Sequence, residues 1–171
     1  SVSKIKSNNN FFSSGWICVN KPMNLSSFDV VRRLKKIFSL NKVGHAGTLD
    51  PLATGILPIA FGNATKTIPY LVSSKKKYRF TILWGVKTLS HDLEAEIIEE
   101  NNFVPTENNI KKILSNFEGK IFQRPPKYSA VKVDGKRAYN LARKGIDFAI
   151  NEKKVKLYDI ILLDHKNNKT E

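Results

Sequence analysis

Apolar residues along the chain fall into short blocks whose spacing switches between two and about 3.6. Trp16 to Asn20 reads as a strand that ends at the Lys21-Pro22 turn. Ser26 or Ser27 then caps a helix, with Val30, Val31, Leu34, Ile37 and Phe38 on one face. Arg32, Arg33, Lys35 and Lys36 lie largely on its other faces. Ile56 to Phe61 is a continuous apolar run, as in a buried strand, and Ala64 to Val72 predicts a helix interrupted near Pro69. Tyr78, Phe80, Ile82, Trp84 and Val86 alternate with their neighbours, which predicts a strand with one apolar face. A weaker strand is expected over Glu96 to Glu100.

Thr106 caps a helix whose stripe is Ile110, Ile113, Leu114 and Phe117, ended by Gly119. Ile121 to Gln123 and Tyr128 to Val133 read as strands, and Asp134-Gly135 is a hairpin signal. Ala138 to Lys144 is a short helix stopped at Gly145, and Val155 to Asp164 is a final strand. Strands interleaved with helices and hairpin turns predict an α+β domain: a mixed, mainly antiparallel sheet flanked by helices.

Hydrophobic residues make up 41% of the 171, enough for a real core. No apolar run reaches the ~20 residues of a spanning helix, so no membrane role is expected. Ser1 to Ser14 is polar and Asn-rich and reads as a flexible tail, leaving 15–171 as the folded domain. Charge changes the picture more. Lys and Arg number 29 against 15 Asp and Glu, a net +14, and such a surface attracts a polyanion. Cys18 is the only cysteine, so no internal disulfide or multi-cysteine zinc site can form. Between Ile17 and Val19 it reads as a small buried residue, and a cytoplasmic location is expected. Three scattered histidines give no metal site; His91 and His165 are expected at the surface.

The segment Gly44-His45-Ala46-Gly47-Thr48-Leu49-Asp50-Pro51-Leu52-Ala53-Thr54-Gly55 sets one carboxylate in a run of turn-forming residues. Pro51 restrains its own φ and pushes Asp50 out of the helical region. A loop so constrained can hold an acid in one orientation against a ligand.

That string closely resembles the G-H-(A/T)-G-x-L-D-P-x-A-x-G signature of TruB-type tRNA pseudouridine synthases. Lys21-Pro22-Met23-Asn24-Leu25-Ser26-Ser27 resembles the family's K-P-x-G-x-(S/T)-S motif, with Asn24 where Gly is usual. Asn tolerates left-handed backbone angles, so the turn survives. Lys75 to Phe80, Lys-Lys-Lys-Tyr-Arg-Phe, resembles the K-x-Y strand. Thr88 to Asp92 resembles T-x-T-x-D, and the Gly that follows in the family is Ala95 here. Gln123 to Lys132 matches Q-x-P-P-x-Y-S-A-x-K, and Gly135, Tyr139, Ala142 and Arg143 fit G-x-x-x-Y-x-x-A-R.

The resemblance implies isomerisation of the T-loop uridine of tRNA to pseudouridine, with no metal and no organic cofactor. It makes Asp50 the catalytic nucleophile or base and Tyr78 the group that removes the C5 proton and stacks on the base. His45 would occupy the space of the flipped nucleotide. Asp92 would join a network with Asp50 and an Arg. Lys21 and Lys66 would be RNA contacts or loop supports, and Tyr128 would help shape the substrate wall. The expected partner is the T-arm stem-loop of tRNA, bound by a monomer with no obligatory protein partner. The family's following K-G-x-Y-(I/V)-R strand and small RNA-binding domain are not within these residues, so a catalytic domain truncated at its C-terminus is expected. Two other readings stand beside this one. One is a guide-RNA-dependent subunit of the same fold. The other is an RNA-binding or RNA-folding module without catalysis.

Overall fold

The computed structural model describes residues 13–93, 95–125, 127, 132–133, 135–146 and 148–171. Most of the predicted tail and much of the Tyr128 to Val133 segment therefore lie outside the described residues. The chain divides into two compact units, one up to Lys77 and one from Tyr78.

The first unit is built on strands β1 (Gly15–Lys21), β2 (Val43–His45) and β3 (Gly55–Phe61), with β3 central and both pairings antiparallel. Helix α1 (Ser27–Ile37) lies between β1 and β2 in the chain. Its start is fixed by a capping box. Ser26 Oγ accepts from the Asp29 N–H at 3.1 Å, and the Asp29 carboxylate accepts from the Ser26 N–H. Val30 and Val31 from α1 pack with Leu57 and Ile59 from β3, and Val19, Leu25, Leu34, Val43 and Leu49 close around them. This cluster is the core of the unit. Burial covers only part of the expected helix face: Ile37 and Phe38, in the last turn, are exposed.

Pro58 is accommodated in the central strand because of where β2 ends. Its carbonyl accepts from the Ala46 N–H at 2.8 Å. A residue's N–H and C=O point to the same neighbour in an antiparallel strand, so the missing donor faces a position beyond His45 that needs none. Strand alternation also corrects the reading of Cys18. Ile17 and Val19 turn inward, so Cys18 stands on the opposite face with Trp16 and Asn20 and is exposed. After β3 a 3₁₀ turn (Gly62–Thr67) leads into α2 (Ile68–Val72), where Pro69 opens the helix rather than interrupting it.

The second unit carries β4 (Ile82–Leu83), β5 (Val86–Thr88), β6 (Ile97–Glu100), α3 (Glu107–Leu114), β7 (Gly119–Gln123), β8 (Lys132–Val133), β9 (Lys136–Arg137), α4 (Ala138–Arg143), β10 (Lys153–Leu157), β11 (His165–Lys166) and β12 (Lys169–Thr170). Thr106 caps α3 as expected, through the Asn109 N–H. Across both units the described strands form five small sheets, and every pairing is antiparallel. The architecture is α+β.

Two strand expectations change. The alternating stretch from Tyr78 to Val86 is not one strand. Residues 78–81 have no paired neighbour among the described residues, and an unpaired extended segment leaves its backbone groups to water. Only Ile82 and Leu83 pair, with β12, before the chain turns at Trp84-Gly85. Gly85 is required there. Its φ is 84°, and a Cβ would stand 2.5 Å from the Asn101 carbonyl oxygen. The final strand is likewise shorter than predicted. Asp159 takes φ 50°, which ends the extended run after β10, and the chain returns as the β11–β12 hairpin around Asn167 (φ 56°). Among the described residues no helix is long and apolar enough to cross a membrane.

Candidate active-site loop

The segment from Ala46 to Thr54 joins β2 to the central strand and carries Asp50 at its tip. Its backbone is fixed on both sides of Asp50. On one side Ser27, buried in the first turn of α1, uses a single hydroxyl twice. Its Oγ accepts from the Leu49 N–H at 2.9 Å and donates to the Leu49 carbonyl at 3.0 Å. On the other side the Pro51 carbonyl accepts from the Asn24 N–H at 2.8 Å and from Lys21 Nζ at 3.2 Å. Asp50's own carbonyl closes a turn by accepting from the Ala53 N–H at 3.0 Å.

Lys21 is 0% exposed. Its ammonium donates to the carbonyls of Leu25 at 2.7 Å, Pro22 at 3.0 Å and Pro51, which matches its three N–H donors. A buried cation is tolerated only when it is so satisfied. Lys21 therefore supports the loop and presents no charge to a ligand, which corrects its expected place among the RNA contacts. Asn24, where the resemblance has Gly, takes φ 65°, the left-handed geometry the turn demands.

The Asp50 side chain is exposed and has no hydrogen-bond or ion-pair partner among the described residues. The chain fixes where this carboxylate starts, and among the described residues nothing engages its oxygens. His45 stands five positions earlier, half-buried, with Nδ1 2.6 Å from the Gly47 carbonyl. A carbonyl only accepts, so Nδ1 carries a proton, and in the neutral tautomer Nε2 is the acceptor.

The other predicted residues are placed less tightly. Lys66 lies in the 3₁₀ turn after β3, exposed. Tyr78 begins the second unit and is 66% exposed, so it is not core. Asp92 forms a local turn: Ser90 Oγ donates to its carboxylate at 2.5 Å and Thr88 Oγ1 to its carbonyl at 2.6 Å. The left-handed residue of that turn is His91 (φ 63°). His165 is half-buried and engaged rather than free on the surface, with Nδ1 2.7 Å from Thr170 Oγ1. Tyr128 lies outside the described residues. Among the described residues no group of three or more His, Cys, Asp and Glu is placed to hold a metal ion. The clamp formed by Ser27 was not foreseen. The sequence signal was the pair Ser26-Ser27, in which one serine sufficed for the cap.

The family model described as "TruB family pseudouridylate synthase (N terminal domain)" matches residues 35–171, the segment that contains the Asp50 loop. The chain belongs to the TruB family. Similar proteins include "tRNA pseudouridine synthase B" of Caulobacter sp. (strain K31), 51% identical over 85% of this chain and 47% of the relative. The protein of the same name from Ehrlichia ruminantium (strain Gardel) is 50% identical over 87% of this chain and 50% of its own length. The chain thus spans about half the length of the TruB relatives it matches. Among solved structures, an H/ACA RNP bound to a substrate RNA containing 2′-deoxyuridine aligns with a TM-score of 0.58 at 26% identity, over 91% of this chain and 35% of the other. A Cbf5-Nop10-Gar1 complex aligns at 0.56 and 27% identity, over 91% and 37%.

Proposed function

We propose that this chain is the catalytic part of a stand-alone tRNA pseudouridine synthase that isomerises the T-loop uridine, with Asp50 as the catalytic carboxylate. One observation carries the reading. The backbone on either side of Asp50 is clamped by buried groups, while the carboxylate itself is exposed and has no partner among the described residues. The resemblance of the surrounding motif and the names of relatives near 50% identity support the choice of substrate.

The reaction breaks the C1′–N1 bond of the nucleotide, forms C1′–C5, removes the C5 proton and returns one proton to N1. Composition is unchanged, so no external reactant is needed. A carboxylate serves as the covalent nucleophile or as the base that removes a ribose proton. Tyr78 is the proposed acceptor of the C5 proton. The target base must first leave its stack, at a cost of roughly a few kcal/mol. His45 Nε2 is an acceptor available to the extruded nucleotide, and Lys66, Asp92 and Tyr128 are its further proposed neighbours.

The solved complexes suggest a guide-RNA-dependent subunit instead, but their identity to this chain is about half that of the tRNA synthases. We assign the protein to the cytoplasm, as a monomer without an obligatory protein partner. The test is tritium release from C5-labelled uridine in a T-arm hairpin by the full-length protein carrying these residues, with no guide RNA added. Release is expected, and Asp50→Asn abolishes it while RNA binding persists. Release by Asp50→Asn at the parent rate would remove Asp50 from the chemistry. A strict requirement for added guide RNA would favour the ribonucleoprotein subunit.

A further inference from the structure

The ribbon of β7 and β10 has a composition that neither the fold nor the Asp50 loop requires. Its register pairs Lys154 with Phe122 and Lys156 with Lys120. Residues two apart share a face, so Lys120, Phe122, Lys154 and Lys156 all stand on one side. The opposite side carries the half-buried Ile121 and Val155. Two lysines directly opposite one another repel, and none of these four positions is acidic to offset them. Phe122 is 64% exposed and Tyr158, just past β10, is 46% exposed. Lysine ammoniums lie over both rings: Lys154 Nζ is 5.5 Å from the Phe122 centroid and Lys156 Nζ is 4.8 Å from that of Tyr158.

A solvated edge accounts for lysines alone. It does not account for two large exposed rings set among them. Rings on an open sheet face flanked by cations offer stacking to bases and charge to phosphates, the combination by which unpaired nucleic acid is held without regard to sequence. We propose that this outward face of the β7–β10 ribbon binds an unpaired stretch of RNA, apart from the nucleotide presented to Asp50. The choice of RNA rests on the function proposed above. The face itself is carried by Lys120, Phe122, Lys154, Lys156 and Tyr158.

The test uses fluorescence anisotropy with a short labelled RNA of no self-complementarity, its blunt duplex, and a T-arm hairpin, each titrated at several salt concentrations. The double variant Phe122→Ala/Tyr158→Ala should weaken single-strand binding about tenfold or more, because each stacked base is worth a large factor. Its salt slope should stay unchanged. Phe122→Tyr/Tyr158→Phe keeps both rings and should bind like the parent. Lys120→Gln/Lys156→Gln should flatten the log–log salt slope by about 1.4, two phosphates at ~0.7 each. All these side chains are exposed, and an unchanged melting curve by Trp84 fluorescence checks folding. Parent-like single-strand binding by the ring variant overturns the proposal. So does equal loss for single strand and duplex. If the ring dependence holds and tritium release fails, the catalytic reading falls and the RNA face stands. If release occurs without ring dependence, the reverse is true.

Discussion

Replacing Lys21 with Met separates what the buried ammonium contributes from what its stem contributes. Met keeps most of the stem and removes the charge. Three charge-assisted hydrogen bonds are lost, each worth about 1.5–3 kcal/mol. That sum does not become the destabilisation, because burying an ammonium costs several kcal/mol and the substitution removes that cost. The residue is set by the acceptors left behind. The Pro51 carbonyl keeps the Asn24 N–H. The Pro22 carbonyl belongs to an exposed residue and can take up water. Only the Leu25 carbonyl, on a half-buried residue, is orphaned, at about 1–3 kcal/mol.

The expected loss is therefore about 1–3 kcal/mol, far below the gross sum. Lys21→Ala also empties the stem's volume and should cost a further ~2–4 kcal/mol. Urea unfolding followed by Trp16 fluorescence in β1 measures the stability, and hydrogen exchange at the Asn24 amide reports the clamp locally. A loss of 1–3 kcal/mol corresponds to roughly 5–150-fold faster exchange. Parent-like stability together with unchanged Asn24 protection in Lys21→Met would refute the clamp. Equal losses for Met and Ala would refute the offset between hydrogen bonding and desolvation.

Ser27→Ala strips partners from both backbone groups of Leu49 and should cost about 1–3 kcal/mol, read as a lower urea midpoint with faster exchange at Leu49. Gly62→Ala should be more damaging than an ordinary surface change. Its φ is 62° and a Cβ would stand 1.9 Å from the Ser13 carbonyl oxygen, so backbone must move; a parent-like melting temperature would contradict this. Acid should loosen α1 at its start. Hydrogen bonding from Ser26, foremost, and the charge of Arg32 hold the Asp29 carboxyl below the ordinary Asp range. Its contribution is then complete above the unfolded value and is lost as pH falls through the lower folded one. Protection of the first-turn amides should fall only at acid pH, and Asp29→Asn should remove that dependence.

What the sequence revealed depended on how local its physical cause was. A serine cap at Ser26 or Ser27, the cap at Thr106 and the left-handed turn at Asn24 were legible because the cause lies within a few residues; the fold chose Ser26. The hairpin around Gly135 (φ 78°) was legible for the same reason. Cys18 was misplaced by reading its apolar neighbours as company. In a strand, immediate neighbours point away from one another, so Ile17 and Val19 argued for exposure. The strand expected over Tyr78 to Val86 failed at a longer range. Alternation describes a face, but a strand also needs a paired neighbour, and spacing cannot show whether one is present. The β11–β12 hairpin had a local signal, Asn167-Asn168, but it lies past the end of the predicted final strand at Asp164 and no turn was read there. Of the candidate loop, the motif drew attention to Asp50 and His45, while the partners of Lys21 emerged only from the fold.

Those partners explain how a short polar loop can keep one geometry. Each interaction next to Asp50 is made with the backbone of Leu49 or Pro51. A clamp on the carboxylate itself would compete with the substrate for the same lone pairs. A clamp on the flanking peptide groups constrains the φ and ψ from which the side chain departs, and leaves both oxygens available. The groups that supply it are buried where water cannot compete: Ser27 at the start of α1 and Lys21 at the end of β1. Both elements are tied to the core that β3 organises, through Val19, Val30 and Val31. The loop's precision is thus borrowed from packing, and on the proposed role of Asp50 a small displacement of Lys21 or Ser27 should matter to chemistry. An error near 1 Å in placing a reacting group can cost about 10²-fold in rate.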